Sequence, residues 1–445
     1  MSDSRQPAPR PLEGWGRYPV IHGVELLSED LEQATRTAVL TRGLGRSYGD
    51  ASLPPAGRGP VAGSRLADRQ LAFDASEGLL RAEAGFTLAE LQRRLLPRGW
   101  SSPVCPGTQQ VTLGGMVAAD VHGKNHQRAG SFGRHVRSMR MRLADGAVEE
   151  VSEASHPELF RATLGGMGLT GHILEVALQL ERIPSPWIWQ EVEAIGELEH
   201  LVQRLYEASR NWPFTVVWAD TMARGTSMGR GLLIKGRWAE VGEAPARPPA
   251  APRSLGVPFE APGWLLNGTL VRAANGAYQR RGGLIRSGVV HPQRFFHPLD
   301  AIRHWNRLYG RRGFTQYQCV LPTGSDGCRP LLDTLQRSGA RSYLTVIKDF
   351  GERGPGTLSF PRPGLTVTLD LPLDDARTRR AVDALNDHVA SRGGGIYLAK
   401  DALTRAEHFR AMEPHLAEFE AIRARWDPRE RLASALSVRL MGGAA

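Results

Sequence analysis

The sequence predicts a two-domain chain of the α+β class, and three observations carry that prediction. Its 445 residues, 41% of them hydrophobic, can bury more than one core. Glycine-rich loops alternate with short strand and helix patterns up to Arg182-Ile-Pro-Ser-Pro186, where the texture changes and a domain boundary is expected. Beyond it, the strand patterns carry one polar and one apolar face, as antiparallel strands with one side over a site do.

The elements follow in order. Leu79 to Ala84 reads as a strand, Gly85 as its stop, and Leu88 to Leu96 as an amphipathic helix. Val117 to Val121, Ser138 to Leu143 and His172 to Leu180 read as strands, with Ala144-Asp-Gly146 as a hairpin turn and Pro157 to Thr163 as a helix. Glu243 to Pro252, rich in proline and alanine, reads as a surface loop. In the second half, Phe214, Val216 and Trp218 share one strand face, and Gln316 and Gln318 another. Thr366, Thr368 and Asp370 share a third, opposite Val367, Leu369 and Leu371. Ala402 to Arg425 is helical in pattern and stops at Trp426-Asp-Pro428.

Composition narrows the function classes. No apolar run has the length of a signal peptide or a membrane span, so a cytoplasmic protein is expected. The 3 cysteines, Cys105, Cys319 and Cys328, have no metal-ligand spacing, which argues against a zinc site or a disulfide framework. The formal charge of +10 suits anionic partners, but the arginines are scattered and no basic run interleaves with aromatics. Nucleic acid is therefore not expected as a partner.

Two segments point to a cofactor: Thr41-Arg-Gly-Leu-Gly-Arg-Ser-Tyr-Gly-Asp50 and Pro106-Gly-Thr-Gln-Gln-Val-Thr-Leu-Gly-Gly115, the latter running on to His122-Gly-Lys-Asn-His126. Glycines let backbone N–H groups approach a pyrophosphate, and Ser47, Thr108 and Thr112 add hydroxyls. One such loop among 50 glycines reads as a turn; two together suit a dinucleotide such as FAD. Gly166-Met-Gly168-Leu-Thr-Gly171 has the spacing of a Rossmann fingerprint, but it follows a predicted helix and precedes a predicted strand, the reverse of what that fingerprint needs.

These segments occur in one order with Ala129-Gly-Ser-Phe-Gly133, Phe296-His-Pro-Leu-Asp300, Trp305-Asn-Arg307, Gln316-Tyr-Gln318 and Tyr397-Leu-Ala-Lys-Asp401. The set resembles the decaprenylphosphoryl-ribose-oxidase-like flavoenzymes of the vanillyl-alcohol oxidase (FAD-linked oxidase) superfamily, from Gly14-Trp-Gly16 to Arg439-Leu440. The resemblance implies a FAD domain built from residues 1–184 and 395–445, with an antiparallel-sheet substrate domain, 185–394, inserted between. It implies non-covalent FAD, because Tyr48 stands where some relatives carry a flavin-linked histidine. The implied reaction is oxidation of the ribose 2-hydroxyl of a polyprenyl-phosphoryl sugar to a ketone by hydride transfer to flavin N5, with a separate short-chain reductase as partner in arabinan-precursor synthesis.

Lys400 matches the family's active-site lysine and is expected to take the hydroxyl proton and leave a positive charge near the reduced flavin. His122 matches the family's site histidine and is expected to contact substrate or flavin, with proton transfer as its second role. Tyr48, at the place of the flavin-linked histidine of some relatives, is counted with the catalytic set. Gln318, Tyr397 and Trp218 are expected to orient the sugar and wall the pocket. Lys348 falls on a strand face shared with Leu344 and Val346; a cation there needs a partner, either a substrate phosphate or an internal salt bridge. Thr368, Thr366 and Phe296 replace the family's cysteine, asparagine and tyrosine, so the pocket is altered. Pyrophosphate contacts are expected from Gly107, Thr108, Gly114 and Gly115 on one side and Gly45, Arg46 and Ser47 on the other, with the Ile173 backbone at the adenine. Arg42, Gly43, Gly49, Pro106, Thr112, Ala118, Gly123, Asn125, Gly168 and Gly171 complete the cofactor set together with Tyr48, His122, Tyr397 and Lys400. Trp264-Leu-Leu266, Leu270-Val271, Arg280-Arg281 and Arg286 mix apolar and basic residues in the family's mobile cover, readable as a peripheral membrane contact for a lipid-linked substrate or as a packed loop. Two other functions fit the same residues: oxidation of a free alditol, aldonolactone or natural-product sugar, and a non-catalytic flavin-binding partner subunit.

Overall fold

The alternating pattern of side chains along a strand sorts this chain into sheets with distinct faces. The computed structural model describes residues 8–442 except 224, 251, 253, 263–267, 285, 286, 325, 326 and 374. In the first half, five antiparallel strands lie in the order Val148–Ser152, Val136–Arg142, His172–Gln179, Leu79–Glu83, Gln70–Asp74. Glu25–Leu27, Val61–Gly63 and Leu40–Arg42 form a separate parallel sheet. The second half supplies an eight-stranded antiparallel sheet in the order Ser287–Val290, Ile188–Ile195, Gly231–Trp238, Phe214–Ala219, Thr345–Phe350, Gly364–Pro372, Phe314–Pro322, Gly395–Ile396. The chain is thus α+β with antiparallel sheets.

One face of the large sheet is apolar: Val217, Ile347, Val367, Leu369, Cys319 and Tyr317 are buried in the core shared with the helices Leu198–Asn211, Cys328–Arg337 and Asp375–Ser391. Leu198, Leu201, Leu205 and Ala208 fall three to four residues apart, which places them on the buried stripe of the first of these helices. The opposite face carries Gln316, Gln318, Thr366, Thr368 and Asp370, as the alternation predicts.

Pro157–Thr163 is helical and His172–Gln179 a strand, so the Gly166–Gly171 segment has the helix-before-strand context that excludes a Rossmann turn. Among the described residues of 243–252 the chain is irregular and mostly exposed, and the three cysteines are unpaired.

Two expectations are corrected. Val117 to Val121 is not a strand; the helix Leu113–Ala118 takes its first half. The Thr112 side chain caps that helix by accepting the Gly115 N–H at 3.2 Å, and a short apolar run fits a buried helix as well as a strand. Ala402 to Arg425 is not one helix but two, Ala406–Met412 and Leu416–Trp426. Pro414 separates them: it lacks an N–H and holds Glu413 extended, at φ −118° and ψ 91°. Before them, Asp401 Oδ1 accepts the N–H groups of Leu403 and Thr404 at 3.1 and 2.9 Å, folding the start of the predicted helix into a turn.

The cap at Thr112 is separable from any ligand. Thr112→Ala should lower the stability of the ligand-free chain by about 1 kcal/mol in urea unfolding, with Thr112→Ser near the parent; equal loss in both variants would remove the cap from the account.

Candidate active site

Directly paired residues of an antiparallel sheet point to the same side. One cross-strand row runs Trp218, Val346, Thr368, Gln318, and the next pairs Lys348 with Thr366 and Thr366 with Val320. Asp370 pairs with Gln316 a further step along. Lys348 therefore shares its face with the polar side chains of the neighbouring strands.

Two loops close over this face. After Gly395–Ile396 pairs with Val320 and Cys319, the Tyr397 N–H donates to the Gln318 carbonyl at 2.9 Å and the chain turns, with the Lys400 N–H on the Tyr397 carbonyl at 2.9 Å. That turn carries Lys400 Nζ to 4.0 Å from the centre of the Tyr48 ring. The Tyr48 N–H donates to the Ala399 carbonyl at 2.8 Å, so the first glycine-rich segment and the Lys400 turn are joined backbone to backbone.

The second loop brings His122. The Gln318 amide nitrogen lies 2.9 Å from His122 Nε2 and 3.0 Å from Thr366 Oγ1. With the amide donating to both, His122 is assigned the tautomer with its proton on Nδ1, and that buried atom has no partner among the described residues. Phe350, Phe360 and Tyr397 pack around the imidazole at centroid distances of 4.8, 5.7 and 5.0 Å. The Tyr397 hydroxyl is committed to the Ala119 carbonyl at 3.0 Å, which leaves its ring as a wall.

The electrostatics are one-sided. Burial pulls Lys400 down to about 7, opposed by Asp370 and helped by Lys348. Burial alone lowers Lys348 to about 8; it forms no salt bridge among the described residues, so the internal ion pair expected as one alternative is not there. Lys124, whose ammonium bonds the Phe295 carbonyl and lies 4.6 Å over the Phe295 ring, falls to about 7 by burial and then by Lys348. Burial, with Lys348 next, holds His122 well below its ordinary value, hence neutral. Asp370 rises to about 6 through burial, held back by the Gln316 bond and Lys400.

The glycine-rich segments meet each other: a Cβ on Gly43 would collide with the Thr112 hydroxyl. Gly45 sits at φ +62°, a conformation that favours glycine. A Cβ on Gly49 would strike the Asp401 carbonyl, on Gly114 it would press Ala84, and on Gly123 it would meet Asn125 Oδ1; next to Gly107 there is open space. Asn125 is itself tied to the Pro103 carbonyl at 2.8 Å. Gly171 to Ile173 reaches the first segment through His172 Nδ1, 2.8 Å from Thr41 Oγ1, and the Met167 N–H next to Gly168 bonds the Ala118 carbonyl at 2.8 Å. Open backbone beside Gly107, an unpaired Nδ1 on His122 and a cationic pocket fit an anionic, hydrogen-bonding cofactor such as FAD.

Some expected residues are engaged elsewhere. Arg42 bonds Ser52 Oγ at 2.9 Å and the Glu13 carbonyl at 2.7 Å; Arg46 bonds the Leu44 carbonyl and lies 4.3 Å over Trp15. The Thr108 hydroxyl donates to Asp300 at 2.7 Å, and the Ser47 carbonyl accepts from Trp15. Pro106 precedes the open Gly107. Phe296, 2% exposed, packs into a ring cluster with Phe214, Phe295 and Trp238 rather than against His122 or Gln318. Sequence reasoning missed Lys124, Phe350 and Phe360. Lys124 had a signal, a cation inside the His122–His126 motif; the two phenylalanines had none beyond ordinary apolar residues.

Comparison with known proteins places a FAD binding domain model on residues 29–152. The chain is 36% identical over 448 residues to decaprenylphosphoryl-β-D-ribose oxidase of Mycolicibacterium smegmatis, covering 96% of this chain and 97% of that one. It is 34% identical to an uncharacterized protein in the mprA 5' region of Streptomyces coelicolor, over 80% of this chain and 99% of that one. L-gulonolactone oxidase of Mus musculus is 30% identical over 112 residues, 25% of each chain.

The unpaired Lys348 carries a pH-dependent cost. Because its folded value of about 8 lies below the 10.5 of a free lysine, its burial penalty is full below about pH 8 and vanishes above about pH 10.5. Lys348→Met should stabilise the chain by up to about 3 kcal/mol at pH 7 in urea unfolding, with the gain gone by about pH 11. A pH-independent difference would contradict an unpaired, desolvated charge at Lys348.

Proposed function

Because the chain belongs to the FAD-linked oxidase family that includes decaprenylphosphoryl-β-D-ribose oxidase, and is a FAD-dependent oxidoreductase, we propose that it oxidises a sugar hydroxyl to a ketone. The favoured substrate is a polyprenyl-phosphoryl-β-D-ribose, oxidised at its 2-hydroxyl. The observation that carries this reading is Lys400: a half-buried lysine brought down to about 7 by desolvation, held against the Tyr48 ring over the polar sheet face.

Bound without a covalent tether, FAD supplies the hydride acceptor. The protein side of the reaction is proton handling and alignment. Neutral Lys400 takes the sugar hydroxyl proton at Nζ, and the charge of Asp370, which opposes the lowering of Lys400, favours the ammonium so formed. Neutral His122 offers its Nδ1 proton to a sugar or cofactor oxygen, in an orientation set by the Gln318 amide. Trp218, Tyr397 and Thr368 form walls, and Lys348, with Lys124, offers charge to the substrate phosphate. In this reading residues 1–184 and 395–445 hold the cofactor and 185–394 the sugar; the separate sheets of 1–184 and 185–394 support the first boundary, while Gly395–Ile396 still belongs to the large sheet.

A lipid-linked substrate also suits the helix Gly268–Leu284. It exposes Leu270, Tyr278 and Leu284 beside Arg272, Arg280 and Arg281, and no acidic residue occurs between Glu260 and Asp300. Its Tyr278 ring packs on Trp218 at 4.8 Å, joining the helix to the pocket. Trp264, Leu265, Leu266 and Arg286 lie outside the described residues. Among the described residues no helix is long and apolar enough to cross a membrane, so attachment would be peripheral, at the cytoplasmic surface, with a short-chain reductase to consume the ketone.

Anaerobic mixing of the FAD-loaded protein with a short-chain polyprenyl-phosphoryl ribose should bleach the flavin absorbance. Bleaching only by free alditols or lactones would move the enzyme to that substrate class. Lys400→Ala should slow bleaching by about 10²-fold or more with FAD still bound. The parent's rate should rise with pH through about 7, as Lys400 loses its proton. An unchanged rate in Lys400→Ala would leave the chemistry without its base.

A further inference from the structure

Two buried carboxylates flank the residues at the centre of the proposed chemistry. Asp50 follows Tyr48 across Gly49, Asp401 follows Lys400 directly, and they are 3% and 7% exposed. Both are held by one guanidinium from the far end of the chain. Arg439 Nε donates to Asp50 Oδ2 at 2.8 Å and Nη2 to Asp50 Oδ1 at 2.7 Å, a bidentate fork. Its Nη1 lies 2.8 Å from Asp401 Oδ2 and donates to the Thr404 carbonyl at 2.6 Å.

The support for Arg439 is itself fixed. It lies in the helix Ala435–Met441, which opens on a reciprocal cap between Ser434 and Ser437. The Ala433 and Ala435 N–H groups bond the carbonyls of Val39 and Leu53 at 3.0 and 2.9 Å, on either side of the first glycine-rich segment. The segments that Arg439 joins have no slack between them: Tyr48 donates to Ala399, and Gly49 lies where no Cβ would fit against Asp401.

We propose that Arg439 is a positioning residue for the reaction: by clamping Asp50 and Asp401 it sets the separation of the Tyr48 ring and the Lys400 ammonium. This rests on the reading of Lys400 as the base. The fork is the reason for arginine. A lysine here is a single point charge that cannot hold both oxygens of Asp50 and also reach Asp401. With the clamp slackened, the Lys400 turn can leave the Tyr48 ring and meet water, and burial is the first cause of the low Lys400 value. The charged and titratable groups facing Lys400 are Asp370 and Lys348 from the sheet, His122 from its loop and Tyr48 beneath it, and Arg439 touches none of them.

The test is Arg439→Lys in the full, FAD-loaded chain, with Asp50→Asn as a second variant that keeps the Arg439–Asp401 pair. Arg439→Lys should lower kcat by about 10-fold or more with KM within about threefold, and raise the midpoint of the kcat–pH profile by about one unit or more. Asp50→Asn should move the midpoint the same way by less, and decides the matter if the first variant does not fold. Midpoints equal to the parent's, with only the melting temperature lowered, would make Arg439 a structural residue and overturn the proposal. Lys400→Ala run in parallel separates the readings: full activity there removes the base itself, whatever Arg439 does.

Discussion

Burying an ammonium in a protein costs free energy unless a carboxylate or a ligand compensates it, and this site gathers three with one facing carboxylate. Lys124, Lys348 and Lys400 surround the polar face of the large sheet, and Asp370 is the acidic group that acts on Lys400. The helices on the other face make that arrangement tolerable by supplying a continuous apolar core behind the strands. The cost is then confined to three half-buried side chains, each on a strand or interlocked loop that cannot easily relax to expose them further. A pocket of this kind is poised for anions and keeps a neutral amine available near neutral pH, which suits a cofactor with a pyrophosphate and a substrate with a phosphate better than it suits a neutral sugar alone.

The parts that hold the pocket are distant in sequence, and backbone contacts do most of the joining. The Tyr48 segment bonds the Lys400 turn, which in turn extends the strand that carries Gln318. His122 enters from a loop fixed by Asp120, whose carboxylate accepts the Gly133 N–H and the Ser131 hydroxyl at 2.7 Å and also bonds Ser359. Ser359 precedes Phe360, the ring stacked on Tyr397 at 4.9 Å, so the same carboxylate anchors both the histidine loop and a wall around it. Asp120 itself sits at φ +37°, unusual for a non-glycine residue, and its three hydrogen bonds help offset that strain.

Much of this was legible in the sequence. Alternation in 364–372 put Thr366, Thr368 and Asp370 on one side of their strand, and the spacing of Gln316 and Gln318 put those two on one side of theirs, because a strand has only two faces. That the two sides are one sheet face is set by the register that pairs Gln318 with Thr368. The glycine-rich segments were legible because close backbone approach excludes side chains whatever the rest of the fold does. Val117 to Val121 was misread because an apolar run of that length has no period of its own, and the deciding signal was the Thr112 cap upstream. The helix over 402–425 was overextended because apolar spacing continues through Pro414, while the break depends on proline's missing N–H. Lys124, Phe350 and Phe360 were out of reach: what makes them part of the site is the tertiary neighbour each one meets, and no local pattern encodes that.

The altered pocket residues bear on how His122 works. Thr366 stands where the resembled family has asparagine, and its hydroxyl accepts one of the Gln318 amide protons at 3.0 Å. An amide facing an acceptor on that side presents its other proton to His122 Nε2 and so leaves the imidazole proton on Nδ1, the atom without a partner. A side chain at 366 that only donated would favour the flipped amide, with its oxygen toward His122 and the ring proton drawn to Nε2. Threonine keeps the acceptor that this polarity requires while being shorter than asparagine, so the exchange gives the pocket more room beside Lys348 without reversing the hydrogen-bond direction. The substitution at 366 therefore changes the space beside Lys348 and preserves the tautomer that leaves the proton on His122 Nδ1.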